Sequence, residues 1–456
     1  MLIKHTIHKS ELDERIRRSE ARLFDDYYQM PAVFQPYGAD WPGDKEGRAL
    51  LAFVSHYKMT GKINPCMEAM LEALPRYTNQ YLYFDPPQGP IIHEQQLSGH
   101  SWFLRGLCEH YEQFGDERSL TALKSVTEHL YLPTTGRYMG YPIQRDPQLL
   151  NEGGVSGHSS TVMDGWSLST DVGCAFMAID GLSHVYKITR DPRVKTLLDE
   201  MIAVYTSIDK IALRAQTHCT LTAARGMMRL YAVTGDPFYL NHAQDIYLLY
   251  TEQGGMDLTF QNLNWWERPN TWTEPCSIVD SLMLAGELYT ATGRDDYRRM
   301  ATRIYQNGWA TVQRPNGGAG TDYVVYLPYG DFPGECIQYM HGYEAFFCCT
   351  MRLAEGLWYV HEHADDLWYE TNEDDAGNLI ATRDGYGRYM SGDVLLAEPS
   401  IDPAVEAQTG WYLPDGKAVA DGHHLQPLIK YYNIPYDISV HLRQRVLFPE
   451  KNNAHL

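Results

Sequence analysis

EPCSIVDSLMLAGELYTATGRDDYRRMATRIYQNGW, residues 274–309, is the stretch from which the fold is read. In its first half Ile278, Leu282, Ala285 and Tyr289 recur at helical spacing and line one face. The pattern stops at Thr292-Gly293-Arg294, where glycine suits the left-handed residue that ends a helix. A second helical pattern begins at Asp295. Helix, tight turn and helix make one hairpin.

The same turn recurs along the chain as HYKMTGK (56–62), HYEQFGD (110–116), VYKITRD (185–191) and LYAVTGD (230–236). The acidic residue that follows in three of them suits the N-cap of the next helix. Another helical pattern comes after each turn, such as ERSLTALKSVTEHLY, DPRVKTLLDEMIAVY and DPFYLNHAQDIYLLY. A sixth unit starts at Glu344 and runs through CCTMRLAEGLWYVHEH. The irregular spacing of the turns argues against a solenoid of fixed repeats. Six helical hairpins closed into a ring fit better. The expected fold is therefore mainly α, an (α/α)6 barrel over residues 1–365, with inner helices that point their N-terminal ends at a central cleft. After about residue 366 turns multiply, and ISVHLRQRVLF (438–448) alternates with period two, so residues 366–456 are expected to form a small β-rich region.

Composition narrows the function. The 456-residue chain is 44% hydrophobic and 21% charged, which is ordinary for a globular protein. Its net charge of −20, with no run of Lys or Arg, disfavours nucleic acid and anionic membranes as partners. No apolar run is long enough to span a membrane, and the first residues lack the apolar core of a secretion signal, so a cytoplasmic location is expected. The eight cysteines are accordingly read as thiols and metal ligands. With 33 tyrosines and 10 tryptophans, the chain has aromatics to spare for a cleft that stacks on sugar rings. The partner expected is a small-molecule carbohydrate, and a homodimer is one assembly the sequence leaves open.

Chemistry concentrates in two short strings, Glu274-Pro275-Cys276 and Cys348-Cys349. Three thiols and a carboxylate match the ligand set of a four-coordinate Zn²⁺, and soft thiolates select zinc over magnesium or calcium. On ligand types alone a catalytic zinc, a structural zinc and a set of reduced core thiols stay open. The long connections 84–100, 151–167, 261–276 and 314–335 are where function is expected.

With Glu-x-Cys opening one inner helix and Cys-Cys opening another, the chain resembles glycoside hydrolase family 127, the β-L-arabinofuranosidase-like enzymes. Gly99-His100 and Gln216-Thr217-His218, each beside an apolar helix, are weaker matches. The resemblance implies a retaining glycosidase in which Glu274, Cys276, Cys348 and Cys349 bind zinc and Cys348 attacks the anomeric carbon. It also implies sugar contacts from His100 and His218, which on their own residues read rather as satisfied histidines near a helix start. Asp44, with Glu46 and Arg48 in WPGDKEGR (41–48), is a further cleft candidate, as are Trp265 and Trp266, which either stack on a sugar or pack their loop.

The chain departs from the family in two places. The family's glutamate general acid/base, in a loop after a Gly-Gly pair, has no counterpart at the matching offset after Gly254-Gly255. Glu267, Asp257 and Glu344 are the candidates to replace it, Glu267 first because it lies nearest Glu274. The part after the barrel is also shorter than the family's β-sandwich, which points to a diverged branch. Other readings are a sugar epimerase or uronate hydrolase on the same barrel, a lanthionine-cyclase-like enzyme, and a sugar-binding protein with a structural zinc.

Overall fold

A computed structural model describes residues 1–35, 41–143, 157, 159–266, 273–309, 312–314, 316–320, 348–386, 388–397 and 446–447. Among them are twelve α-helices. The even-numbered ones form the inner ring: α2 (Asp44–Thr60), α4 (Glu94–Phe114), α6 (Ala178–Thr189), α8 (Thr217–Thr234), α10 (Pro275–Thr292) and α12 (Cys348–Glu362). Each packs on the next, and α12 packs back on α2, which closes the (α/α)6 barrel.

The turns work as the sequence suggests. Gly61, Gly115, Gly235 and Gly293 take φ near +70° and close α2, α4, α8 and α10. Arg190 takes the same left-handed position after α6 without being glycine. Asp116, Asp191 and Asp236 each accept a backbone N–H at the start of the next helix, namely α5 (Glu117–Val126), α7 (Pro192–Ser207) and α9 (Pro237–Glu252). These three pack outside α4, α6 and α8, and α11 (Asp295–Arg303) packs outside α10. The helix after α2 is α3 (Cys66–Tyr77), with Met67, Met70, Leu71 and Leu74 buried.

The sixth pair breaks the pattern. The outer helix against α12 is α1 (Lys9–Leu23), from the other end of the sequence. Its buried face carries Leu12, Ile16 and Leu23. The connection is sealed by β1 (Leu2–His5), which pairs antiparallel with β2 (Tyr369–Asn372), just past α12.

Beyond β2 the expected β character appears as short strands. β3 (Thr382–Arg383), β4 (Tyr389–Ser391) and β5 (Val394–Ala397) form an antiparallel sheet. Of the alternating stretch 438–448, only residues 446–447 are described, as a strand. No described helix is long and apolar enough to cross a membrane.

Inner helices approach each other closely where they carry glycine. A Cβ on Gly47 would lie 2.2 Å from Phe103 N, and one on Gly106 would lie 2.4 Å from Gly47 O. The backbones of α2 and α4 therefore touch, and no side-chain movement can make room. Gly47→Ala should lower stability by about 1–3 kcal/mol or more. Urea unfolding checks this, and an unchanged midpoint would contradict the close crossing.

Candidate metal centre

The N-terminal ends of the inner helices meet at one end of the ring. Glu274 precedes α10, with its backbone N–H held at 2.8 Å by Asn262 Oδ1, and Pro275 occupies the first helical position. One turn of α10 then points Cys276 inward, while α12 opens on Cys348 and Cys349. One ligand atom from each of Glu274, Cys276, Cys348 and Cys349 lies within 4.8 Å of all the others. Cys276 Sγ is 3.7 Å and Cys348 Sγ 3.9 Å from Cys349 Sγ.

Those separations fit a metal. Two sulfurs on a tetrahedral zinc, each at about 2.3 Å from the ion, sit about 3.8 Å apart. A buried carboxylate joins the three thiols, so the cluster offers four potential ligands to one ion. Glu274 Oε2 is buried and has no hydrogen-bond partner, which leaves that oxygen for a cation. The helix N-termini also favour negative sulfur. Cys348 is held well below the ordinary thiol range, first by hydrogen bonds from Cys276 and Cys349, against burial, and then by Arg48 and His218.

The surroundings hold the ligands in place. His218 Nδ1 is 3.4 Å from Glu274 Oε1, and its Nε2 is 3.2 Å from Asp280 Oδ2, an ion-pair contact off the line of a good hydrogen bond. Burial works against the charged ring, but Glu274 and Asp280 outweigh it and hold His218 up at about 9. The ring stacks on Trp102 at 5.7 Å. Asp280, fully buried on α10, also accepts from Thr222 Oγ1 at 2.7 Å and from Arg225 Nη1 at 3.0 Å, and it pairs with Arg352. The ion pairs continue down the barrel through Glu355 to Arg105, 2.8 Å apart.

The remaining candidates separate clearly. His100 is spent on the backbone: Nε2 accepts from Phe84 N at 2.9 Å, and Nδ1 faces Gln96 O at 2.7 Å. Burial pushes it down to about 4, so it is a neutral, satisfied histidine and not a free sugar contact. His218 likewise faces two carboxylates, one of them the candidate ligand Glu274. Trp265 and Trp266 are completely buried, with Trp266 against Gly255, so they pack the loop and offer no open stacking face.

Asp257 Oδ1 accepts from Thr259 N, Thr259 Oγ1 and Gln261 N at 2.8–2.9 Å, which makes this carboxylate the organiser of its own turn. Glu267 and Glu344 lie outside the described residues. Asp44 sits at the start of α2 with Oδ1 2.7 Å from Arg48 Nε. Burial, then Arg48 in opposition, then the negative Cys348 leave its carboxyl raised to about 6. Residues that pattern reading passed over are Asp280, Trp102, Asn262 and Arg352. Each is an ordinary helix or loop residue in sequence, and only the barrel brings them to the ligands.

No protein-family model matches the sequence, and no curated protein matches it either. The structure is similar to a sugar epimerase from a ruminal bacterium (TM-score 0.53, 12% identity, 78% of this chain and 97% of that one). It is also similar to a glycoside hydrolase (TM-score 0.52, 12% identity, 80% of this chain and 60% of that one). A family-127 β-arabinofuranosidase is among the similar structures as well (TM-score 0.49, 11% identity, 90% of this chain and 67% of that one). This chain thus spans 60% of the length of that glycoside hydrolase. What the likenesses show is the fold, an α/α barrel that serves carbohydrate enzymes of more than one reaction type.

Proposed function

We propose that this chain is a retaining glycoside hydrolase that cleaves a small pentoside of the β-L-arabinofuranoside kind, with Cys348 as nucleophile. The observation that carries this reading is the cluster of Glu274, Cys276, Cys348 and Cys349 at the open N-terminal ends of two inner helices. Zinc, held by those four residues, would keep the thiols ionised near neutral pH.

The chain's own residues then supply the steps. Cys348 Sγ attacks the anomeric carbon; a C–S bond forms, the glycosidic C–O bond breaks, and the leaving oxygen takes a proton from a carboxylic acid. Water, deprotonated by the same carboxylate, attacks the thioglycoside from the opposite face and releases the Cys348 thiolate, so configuration is retained. Cys348 suits the role because it is the least buried of the three thiols and the one most easily ionised. Glu267 and Glu344 stay as candidates for the acid, and Asp44 joins them: it is buried in the same site, and its raised pKa suits a proton donor near neutrality. An epimerase on this fold would have no use for the thiol cluster.

Elemental analysis of the purified protein, paired with a screen on aryl arabinofuranosides and other pentosides, tests the proposal. About one zinc per chain is expected, with aryl alcohol released and activity lost on chelation and regained with zinc. Absence of bound metal from the as-purified and the zinc-reconstituted protein would end it. Zinc without turnover on any pentoside would remove the substrate assignment.

A further inference from the structure

A zinc held by three thiolates and a carboxylate leaves two net negative charges in a buried site, an arrangement that needs cations close by. Arg48, on α2 and 3% exposed, is placed for this. Its Nη1 lies 3.6 Å from Cys276 Sγ while its Nε pairs with Asp44 at 2.7 Å. Its guanidinium lies 3.9 Å from the ring centre of Trp102, the same ring that stacks on His218. The carboxylate, the indole and the sulfur fix the guanidinium in one orientation. Arg48 also favours the Cys348 thiolate through its charge, but among the described residues no arginine or lysine donates a hydrogen bond to Cys348 or Cys349, so the three sulfurs are not equivalent.

A hydrogen bond from a cation draws charge out of a thiolate and makes it a poorer nucleophile, as outer-shell partners tune metal ligands generally. We propose that Arg48 is a positioning residue that assigns the nucleophile: it quiets the Cys276 sulfur and so leaves Cys348 the reactive thiolate. The inference rests on the zinc–thiolate reading and adds to it a reason why one cysteine of three reacts.

Cobalt(II) in place of zinc tests it without reference to turnover. Tetrahedral thiolate–cobalt absorbs in the near-ultraviolet through sulfur-to-metal charge transfer, at longer wavelength when a sulfur carries more charge. Arg48→Met should move that band to longer wavelength, and Arg48→Lys, which keeps a cationic N–H donor, should return it most of the way. Metal affinity should fall about 10–100-fold in Arg48→Met. Because Arg48→Met leaves Asp44 unpaired, the double variant Asp44→Asn/Arg48→Met supplies the same readout with no buried charge stranded, should the single variant not fold. Cobalt bound with an unmoved band in either Met variant would overturn the role of Arg48 and leave the metal site standing. A wild-type protein that takes up no cobalt into thiolate ligation would overturn both.

Discussion

Cys348→Ser should retain zinc and the native fold while losing turnover by on the order of 10⁴-fold or more, as removal of a covalent nucleophile does elsewhere. Three protein ligands, Glu274, Cys276 and Cys349, remain, and three suffice for a zinc site. The serine hydroxyl is far less acidic than the thiol and a weaker nucleophile, so binding and chemistry come apart in this variant. Glu274→Ala should do the reverse, because it removes a ligand and leaves His218 with Asp280 as its one remaining carboxylate, with metal and thermal stability lost together. Elemental analysis and circular dichroism on the two proteins separate these outcomes. Substantial pentoside hydrolysis by Cys348→Ser would exclude the nucleophile assignment.

The second large effect is expected at Asp280, which touches no ligand. Burial alone would raise its pKa, but Arg352, His218 and Arg225 overcome that and hold the carboxyl far below the usual carboxylate range. Asp280→Ala removes the buried carboxylate shared by Arg352, Arg225 and His218 and leaves the two guanidiniums to Glu355 and Glu287, at a cost of about 3–5 kcal/mol. His218 would then have only Glu274 to orient it, so zinc affinity should fall about 10–100-fold as well. Asp280→Asn keeps the shape and two acceptor sites and should lie between. Denaturant unfolding with and without zinc measures both effects. A variant that unfolds at the wild-type midpoint in both conditions would show that the ion network is not structural.

The ring of hairpins was open to reading because its punctuation is local. Five turns line up along the chain, four of them with glycine in the left-handed position and three with aspartate at the next N-cap, all signals that act within a few residues of one another. The Glu/Cys cluster was open to reading for a related reason: Cys276 and Cys348 each stand at the start of a helix that the hairpin pattern assigns to the inner ring. What stayed hidden depends on contacts between distant segments. Nothing around His100 signals that Phe84 and Gln96 occupy its two nitrogens with backbone groups. Asp257 looks like a free acid until its turn closes on it. His218 matched a family position, yet its partners Glu274 and Asp280 come from a helix that pattern reading could place only as a neighbour. The outer helix of the sixth pair was invisible for the same reason, since α1 precedes α12 by nearly the whole barrel.

That last arrangement bears on how the protein is made. When α1 leaves the ribosome it carries a buried face, Leu12, Ile16 and Leu23, that has only a slight contact with α2 and no α12 to cover it. Synthesis at about 5–20 residues per second delays α12 by some tens of seconds. Throughout that interval the first helix is a sticky segment open to chaperones and proteases, and the two halves of the metal site cannot meet. A metal held by Glu274, Cys276, Cys348 and Cys349 would therefore act only as a late clasp on a nearly complete barrel, never as the seed around which the barrel forms.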